Sequence, residues 1–499
     1  MRELTTVQAA YYVGRQTGQS MGGVAAHIYA EFDGENIDSE KLASAVRKLY
    51  INHPMLRMKV TSGGQQTIAP LSSVHQLIID DIEHLSPSAT RDFLIEKRTA
   101  ITDQKLDLDN GQAAQIGITR HSKVQCRLHI DVDMTAVDAQ SFRILTEELA
   151  KLYSDEHHGN ETQEKNSFFE YLDKQAADNY LVAKRQSDKT WWQQRLPDIA
   201  GAPEFPYVNG DIDRQHGHSQ RFTHQLTQEQ RSSIEELAKK HHLTLTQLFL
   251  TLFSQAVGSS CNSPDFRLNV PTFHRGFYTN DAETTIGDFS NLLIYSASLK
   301  AQESTLNHCR RTANQLNQLL NHESYSGVTV MRDLSRYYGT VQASPIVFTS
   351  GMDVEGDDLF SEAVTKVFGK MNWVISQGAQ VTLDAQIAPA YEGIFVNWDV
   401  RMDVFPKGFV DTLFNKFIAI VQSLADEPNS IHNSLESTLA QLGYACPSLP
   451  LVTSCPKPLT ELQKSYLLGR STHIPMGGTA MHEFREYRGK IESSLVEYR

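Results

Sequence analysis

The stretch DVDMTAVDAQS (residues 131–141) joins an apolar run to an amphipathic one. The period of the apolar residues predicts a strand over 125–132 and a helix over 141–152. Asp138 stands where a helix N-cap accepts free backbone N–H groups. The spacing alone allows two interpretations, a capped turn or part of a functional site, because loops that follow strands carry many functional groups in α/β proteins.

The alternation of strand and helix patterns continues along the chain. Strands are predicted at 24–32, 266–271, 292–299, 346–349, 380–386 and 393–400, and helices at 39–50, 168–194, 227–241, 245–257, 307–321 and 406–424. These segments fall into two halves that join near residues 175–220. The pattern predicts a two-lobed α/β protein with a cleft between the lobes.

Composition excludes several classes of function. The chain has 499 residues, 40% hydrophobic and 21% charged, with a formal net charge of −13. This acidic balance argues against nucleic acid as the main partner, because phosphate binding needs a basic surface. No apolar run reaches the roughly 18 residues of a membrane span, and the N-terminus lacks the apolar core of a signal peptide.

Cysteine and histidine spacing gives no sign of a metal or disulfide framework. The five cysteines show no CxxC pair, so we expect reduced thiols in a cytoplasmic protein. The histidines lack metal-ligand spacing, and no glycine-rich phosphate loop is present. We therefore expect no metal and no directly bound cofactor.

The chain also repeats its own beginning. LTTVQAAYYVGR (4–15) returns as LTELQKSYLLGR (459–470), at an offset of 455 residues. The segment CPSLPLVTSCPKP (446–458) between the two copies contains four prolines, which is typical of an extended linker. We expect 446–458 to be a linker and 459–499 to be the truncated start of a second copy.

A series of motifs resembles the heterocyclization (Cy) domains of nonribosomal peptide synthetases, which are members of the condensation-domain superfamily. DMTAVDAQS (133–141) resembles the DxxxxDxxS signature that replaces HHxxxDG of ordinary condensation domains. The other matches are LTTVQAAYYVGR (4–15), NHPMLR (52–57), IGDFSNLLI (286–294), SYSGVTVMRD (324–333), SPIVFTS (344–350), ISQGAQVTLDAQ (375–386) and NWDVRMDVFPKGF (397–409). The resemblance spans about residues 3 to 430.

The resemblance implies a two-lobed, chloramphenicol-acetyltransferase-like condensation fold, V-shaped with a central tunnel. The expected lobes are 1–175 and 176–445. The chain would be the first unit of a tandem Cy-Cy siderophore synthetase. It would join a carrier-bound acyl thioester, by resemblance an aryl one, to carrier-bound Cys, Ser or Thr, and then cyclise and dehydrate the product to a thiazoline or oxazoline. Its partners would be donor and acceptor carrier proteins, whose phosphopantetheine arms enter the tunnel, and the second Cy domain.

Two residues are carried over from the family as catalytic. The resemblance implies that Asp384, in QVTLDAQ, is an acid/base group and that Thr349, in the FTS motif, works with it. A carboxylate such as that of Asp384 is unusual in a strand with alternating apolar residues, so it indicates a specific role at this position. The structural alternatives are a buried ion pair for Asp384 and a hydroxyl bonded to backbone for Thr349.

The signature stretch itself is expected to supply site architecture. Met134 aligns with the histidine that faces the amine in ordinary condensation domains, and it cannot move a proton. Asp133 takes the place of the first histidine. Asp138 is expected to pair across the lobes with an arginine, for which Arg275 is the candidate, and Ser141 completes the signature.

Asn291 and Gln380 remain open between substrate binding and local structure, and Ser350 is expected to belong to the substrate site or its architecture. Asn291 and Gln380 have amides that would suit a substrate amide group or the local backbone equally well. Ser350 closes the FTS motif beside the candidate threonine.

Two other functions remain compatible with the sequence. One is a condensation-only acyltransferase, with ring closure performed by the second copy. The other is a non-catalytic carrier-docking module, which the absence of a histidine near Met134 would suit.

Overall fold

The computed structural model describes residues 1–16, 22–73, 76–155, 168–208, 219–276, 278, 282–352 and 358–445, with a few isolated positions after 461. Residues Met1–Leu449 form one compact unit, and Pro450–Arg499 form a second unit by contact. The predicted linker and almost all of the predicted second copy lie outside the described residues, so both stay predictions.

The described strands and helices alternate along the first unit. The strands are β1 (Arg2–Glu3), β2 (His27–Glu35), β3 (Met58–Val60), β4 (Gln65–Ile68), β5 (Ile78–Asp81), β6 (Ala114–Arg120), β7 (Gln125–Asp133), β8 (Ser219–Leu226), β9 (Asp265–Thr272), β10 (Asn291–Ser298), β11 (Ile346–Ser350), β12 (Lys370–Gln377), β13 (Leu383–Ala390) and β14 (Gly393–Arg401). The helices are α1 (Thr6–Gly14), α2 (Ser39–Asn52), α3 (Pro87–Thr102), α4 (Ala139–Ser154), α5 (Phe168–Ala177), α6 (Asn179–Gln193), α7 (Gln228–Lys240), α8 (Leu245–Gly258), α9 (Thr305–Asn321), α10 (Gly327–Tyr338), α11 (Glu362–Phe368), α12 (Phe409–Asp426) and α13 (Leu435–Gln441).

Two large sheets and a small three-stranded sheet, β1-β4-β3, organise the described strands, and the predicted two-lobed α/β class is confirmed. The first sheet has the order β12-β2-β7-β6-β5, and the second has the order β10-β9-β11-β13-β14-β8. Strand β12 comes from the second half of the chain and yet pairs antiparallel with β2 of the first half. The lobe boundaries at 175 and 445 stay predictions, but this crossing strand shows that a simple division of the chain does not describe the sheets.

Two predicted elements needed correction. The single helix predicted over 168–194 is two helices, because the Asp178 side chain accepts the backbone N–H groups of Tyr180 and Leu181 and so starts α6 anew. The strand predicted over 380–386 begins only at Leu383. Gln380 adopts a left-handed φ of 64° in the turn before it, which interrupts the extended backbone.

The core of the second half is built around the centre of its sheet. Trp398 on β14 is fully buried, and its ring lies edge-on to Phe253 of α8 with centroids 5.5 Å apart. Helix α8 is buried along almost its whole length, as expected for a helix with apolar residues on all sides. This packing fixes the strands on which the candidate site stands.

The described part of the chain shows the state of three cysteines and the character of the helices. Cys126, Cys261 and Cys309 are buried free thiols. Of the helices described, none combines the length and the apolar character needed to cross a bilayer.

Candidate active site

A cavity of about 510 Å³ lies between the two halves of the first unit. Its wall includes Met134 and Phe142 from the first half and residues of β11 and β13 from the second half. Four of the residues predicted for the site line it: Thr349, Ser350, Gln380 and Asp384.

Strand register brings the two candidate catalytic residues together. Strands β11 and β13 pair in parallel, with Val347 opposite Asp384 and Thr349 opposite Gln386. Because alternate residues of a strand share a face, these side chains all point towards the cavity. The Thr349 hydroxyl donates to Asp384 Oδ1 over 2.9 Å.

The other oxygen of Asp384 contacts a second acid through an amide. Gln386 Nε2 donates to Asp384 Oδ2 over 2.9 Å and to Asp399 Oδ2 over 2.8 Å. Asp399 lies directly across from Asp384 on β14. Arg221 of β8 donates from Nε to Asp399 Oδ1 over 2.7 Å, and the Ser376 backbone N–H adds a bond of 3.0 Å to Oδ2.

This environment moves the protonation of Asp384 into the neutral range. Burial raises the pKa of Asp384 to about 7, and the neighbouring charge of Asp399 acts in the same direction. Hydrogen bonds from Gln386 and Thr349 and the charge of Arg221 lower the pKa but do not cancel the rise. Asp384 therefore exchanges a proton near neutral pH, which suits a group that serves as both acid and base.

Asp133, the first acid of the signature, is enclosed in the protein. Its side chain is fully buried and forms an ion pair with Arg15 of the segment that follows α1. It also accepts the backbone N–H of Thr135 over 2.9 Å. Burial raises the pKa of Asp133, while the charge of Arg15 lowers it. Asp133 does not line the cavity, and these contacts lie within the protein interior.

Asp138 and Ser141 join α4 to the segment before β10. Asp138 caps α4 through the Ser141 N–H at 2.6 Å and accepts the Phe289 N–H at 2.9 Å. Arg275 Nη2 lies 3.3 Å from Asp138 Oδ1, which is the pair that the sequence named. The Ser141 hydroxyl donates to the Gly287 carbonyl over 2.8 Å and accepts a bond of 2.7 Å from Arg275. These contacts hold the two halves together outside the cavity.

Gly287 is required at this junction. A Cβ atom there would lie 2.4 Å from the ring of Phe168, so no side chain fits without displacing that ring. The glycine lets two distant segments approach closely enough for the Ser141 bonds.

Asn291, Gln380 and Ser350 lie in different surroundings in the structure. Asn291 donates to the Glu323 carbonyl over 2.7 Å and accepts the Leu292 N–H over 2.9 Å, and it is not among the residues that line the cavity. Its contacts are therefore with local backbone. Gln380 and Ser350 face the cavity, and the Ser350 hydroxyl lies 2.5 Å from the Thr246 hydroxyl.

Sequence reasoning missed three residues of the site, namely Gln386, Asp399 and Arg221. The first two stand in segments that we quoted as motifs, ISQGAQVTLDAQ and NWDVRMDVFPKGF. Even spacing from Asp384 places Gln386 on the same strand face, which was a usable signal. No local sequence pattern pointed to Arg221, because only the pairing of β8 with β14 brings it next to Asp399.

Among the described residues, no group of three or more His, Cys, Asp or Glu side chains gathers as metal ligands do. The polar groups that line the cavity are hydroxyls, amides, the carboxylate of Asp384 and the guanidinium groups of Arg143 and Arg332. They suit proton transfer and hydrogen bonding to an amide.

Comparison with known proteins identifies the family of this chain. The condensation-domain family matches residues 1–441, nearly the whole of the first unit. The chain belongs to the condensation-domain family. Its resemblance to the heterocyclization domains of nonribosomal peptide synthetases is confirmed by curated relatives that are synthetases of this kind.

Two curated relatives and two solved structures define the similarity. The chain is 35% identical over 416 residues to phenyloxazoline synthase MbtB of Mycobacterium tuberculosis, which covers 82% of this chain and 29% of that protein. It is 30% identical over 431 residues to pyochelin synthetase PchE of Pseudomonas aeruginosa, covering 85% of this chain and 29% of that protein. The chain thus spans less than a third of the length of these relatives.

The solved structures support the condensation fold. The EpoB NRPS cyclization-docking bidomain from Sorangium cellulosum superposes with a TM-score of 0.77 at 24% identity, covering 86% of each chain. The nonribosomal peptide synthetase FmoA3 superposes with a TM-score of 0.73 at 26% identity, covering 85% of this chain and 44% of that one.

Proposed function

We propose that this condensation-family domain joins a carrier-bound acyl thioester to carrier-bound Cys, Ser or Thr and then closes the ring to a thiazoline or oxazoline. The observation that carries the proposal is the Thr349–Asp384 hydrogen bond of 2.9 Å on the wall of the cavity. Asp384 has a pKa of about 7 there, which matches the demand of the ring-closing steps for a proton carrier.

The chemistry requires proton exchange at one oxygen. The acceptor amine attacks the thioester carbon, the new C–N bond forms, and the donor arm leaves as a thiol. The side-chain sulfur or oxygen then adds to the amide carbon and gives up its own proton. The former carbonyl oxygen leaves as water with that proton and a second one from nitrogen. Asp384 is proposed to deliver the proton that turns this oxygen into water, and Thr349 to orient the carboxyl group.

The cavity supports an aryl donor. Four phenylalanine rings line it, from Phe142, Phe273, Phe360 and Phe395, and aromatic faces suit a planar aryl group. One relative is itself a phenyloxazoline synthase. The proposed setting is siderophore biosynthesis in the cytoplasm.

The proposed partners are a donor carrier protein, an acceptor carrier protein and a second Cy domain. The phosphopantetheine arms of the two carriers would bring the substrates into the cavity, and this chain itself would bind no cofactor.

The test is the intact mass of the acceptor carrier after the chain is mixed with aryl-loaded donor and Cys-, Ser- or Thr-loaded acceptors. Acyl addition with loss of one further water, about 18 Da, is the expected result. Asp384→Ala and Thr349→Val should lose ring closure, while Asp403→Asn, an acid away from the cavity, should retain it.

The two alternatives give different masses. Acyl addition without water loss for every acceptor would indicate a condensation-only acyltransferase. No transfer together with retained carrier binding would indicate a docking module. The Thr349–Asp384 pair favours the cyclising enzyme, because neither alternative needs a carboxyl group that titrates near neutrality.

A further inference from the structure

We propose that Asp399, fixed by Arg221, acts through Gln386 as a positioning unit that directs the proton on Asp384 to Oδ1, the oxygen that faces Thr349. The inference rests on the proposed function and deepens it. It assigns a route for the proton and a task for three residues that carry no role so far.

The amide of Gln386 determines which carboxyl oxygens around it accept a hydrogen bond. Its Nε2 lies 2.9 Å from Asp384 Oδ2 and 2.8 Å from Asp399 Oδ2, and an amide nitrogen only donates. Both Oδ2 atoms must therefore accept. A carbonyl-type oxygen accepts better than the oxygen of a carboxylic acid O–H, so a proton on Asp384 is favoured on Oδ1.

A proton on Oδ1 reverses the bond to Thr349. In the ionised state the Thr349 hydroxyl donates to Oδ1 over 2.9 Å. In the protonated state Oδ1–H donates to the Thr349 oxygen, and the threonine hydrogen turns towards the cavity that both residues line. The hydroxyl then passes a proton to substrate as it receives one from Asp384, so its own proton count does not change.

The orientation of Gln386 depends in turn on the second carboxylate that it contacts. Asp399 is buried, with its side chain only 4% exposed, and it forms an ion pair with Arg221. The Ser376 N–H adds a third donor to this carboxylate. The indole ring of Trp373 covers Arg221, with the guanidinium carbon 5.6 Å from the ring centroid. If the Gln386 amide were flipped, its carbonyl oxygen would face the carboxyl oxygens of both Asp384 and Asp399. The contact with Asp399 therefore disfavours the flipped orientation.

The charges that act on Asp384 include those of Asp399 on β14 and Arg221 on β8. Three further charged or titratable side chains line the same cavity, namely Tyr11 of α1, Arg143 of α4 and Arg332 of α10. Removal of Asp399 takes away a repelling charge and releases Arg221, which favours the ionised form of Asp384. Removal of the Gln386 donor disfavours the ionised form. The two changes must therefore move the titration of Asp384 in opposite directions.

The experiment compares the pH profiles of ring closure for the whole chain and its variants. One limb of the plot of rate against pH reports the ionisation of Asp384. This limb should move to lower pH in Asp399→Asn and to higher pH in Gln386→Leu, by about one unit each. The matched control is Asp403→Asn, which removes a carboxylate paired with Arg401 at the end of β14 and should leave the limb in place. Lower activity with an unmoved limb in both variants would overturn the proposal.

A second readout does not depend on activity. The infrared C=O band of the protonated Asp384 carboxyl, assigned by its loss in Asp384→Asn, can be titrated in each variant. Opposite shifts of this band without any ring closure would refute the proposed function and keep the positioning unit. If Asp399→Asn fails to fold because Arg221 loses its partner, Gln386→Leu alone tests the inference, since it breaks no ion pair. An unmoved band in Gln386→Leu would overturn it.

Discussion

Replacement of Asp384 by Asn should make the protein more tolerant of alkaline pH. The folded protein holds this carboxyl at a pKa of about 7, against an ordinary value of 3.8. Because the folded-state pKa is the higher one, the stability that Asp384 contributes is fully present below about pH 3.8. It is lost progressively as the pH rises towards 7. Asn cannot ionise, so the variant escapes this loss.

The size of the effect follows from the two pKa values. One pKa unit corresponds to about 1.4 kcal/mol, so linkage gives a difference of about 3 kcal/mol between pH 5 and pH 8.5. A unit of about 450 residues has an unfolding entropy of roughly 0.9 kcal/mol/K. The melting temperature of Asp384→Asn relative to the parent should therefore rise by about 3 °C over this pH range.

The assay is calorimetry or dye-monitored unfolding of the parent and Asp384→Asn at half-unit pH steps. The new amide can accept from Gln386 with its oxygen and donate to the Thr349 hydroxyl with its nitrogen, and any remaining packing cost does not vary with pH, so only the slope is diagnostic. Asp403→Asn reports the general effect of removing one acidic charge. A melting-temperature difference between parent and Asp384→Asn that stays constant from pH 5 to 8.5 would refute the reasoning.

Three further outcomes are expected. Arg275→Ala should destabilise the fold by about 3–5 kcal/mol in denaturant titration, because it leaves the buried carboxylate of Asp138 without its cation; a loss below 1 kcal/mol would contradict the cross-linking role. Thr349→Val should slow ring closure by about 10²-fold or more while Thr349→Ser retains it, as measured by single-turnover product mass. Gly393→Ala would place a Cβ atom 1.9 Å from a carbonyl oxygen of the neighbouring strand and should cost about 1–3 kcal/mol. Gly351→Ala, with its nearest atom at 3.5 Å, is the matched control, and equal melting temperatures would contradict the steric argument.

Local pattern predicted most of the elements but not how distant segments pair. The helix predicted at 141–152 extends over Ala139–Ser154, because its apolar stripe and its Asp138 cap are both written in contiguous sequence. Strand β12 shows the limit. Nothing within Lys370–Gln377 indicates that it will leave its own half of the chain and pair with β2, since that choice depends on a partner more than 300 residues away.

The candidate site is likewise only partly predictable from sequence, because strand pairing between distant segments decides some of its contacts. Asp384 and Thr349 were found because a family resemblance named them, and parallel pairing of β11 with β13 then explains their contact. The property that makes Asp384 suitable for proton transfer does not reside in its motif. It arises first because folding buries the carboxyl group, and second because an antiparallel neighbour places Asp399 directly opposite, where two like charges repel each other. Arg221 forms a bidentate ion pair with Asp399, whereas Asp384 accepts from the hydroxyl of Thr349 and the amide of Gln386, so burial and the neighbouring acid together raise the pKa of Asp384 to about 7.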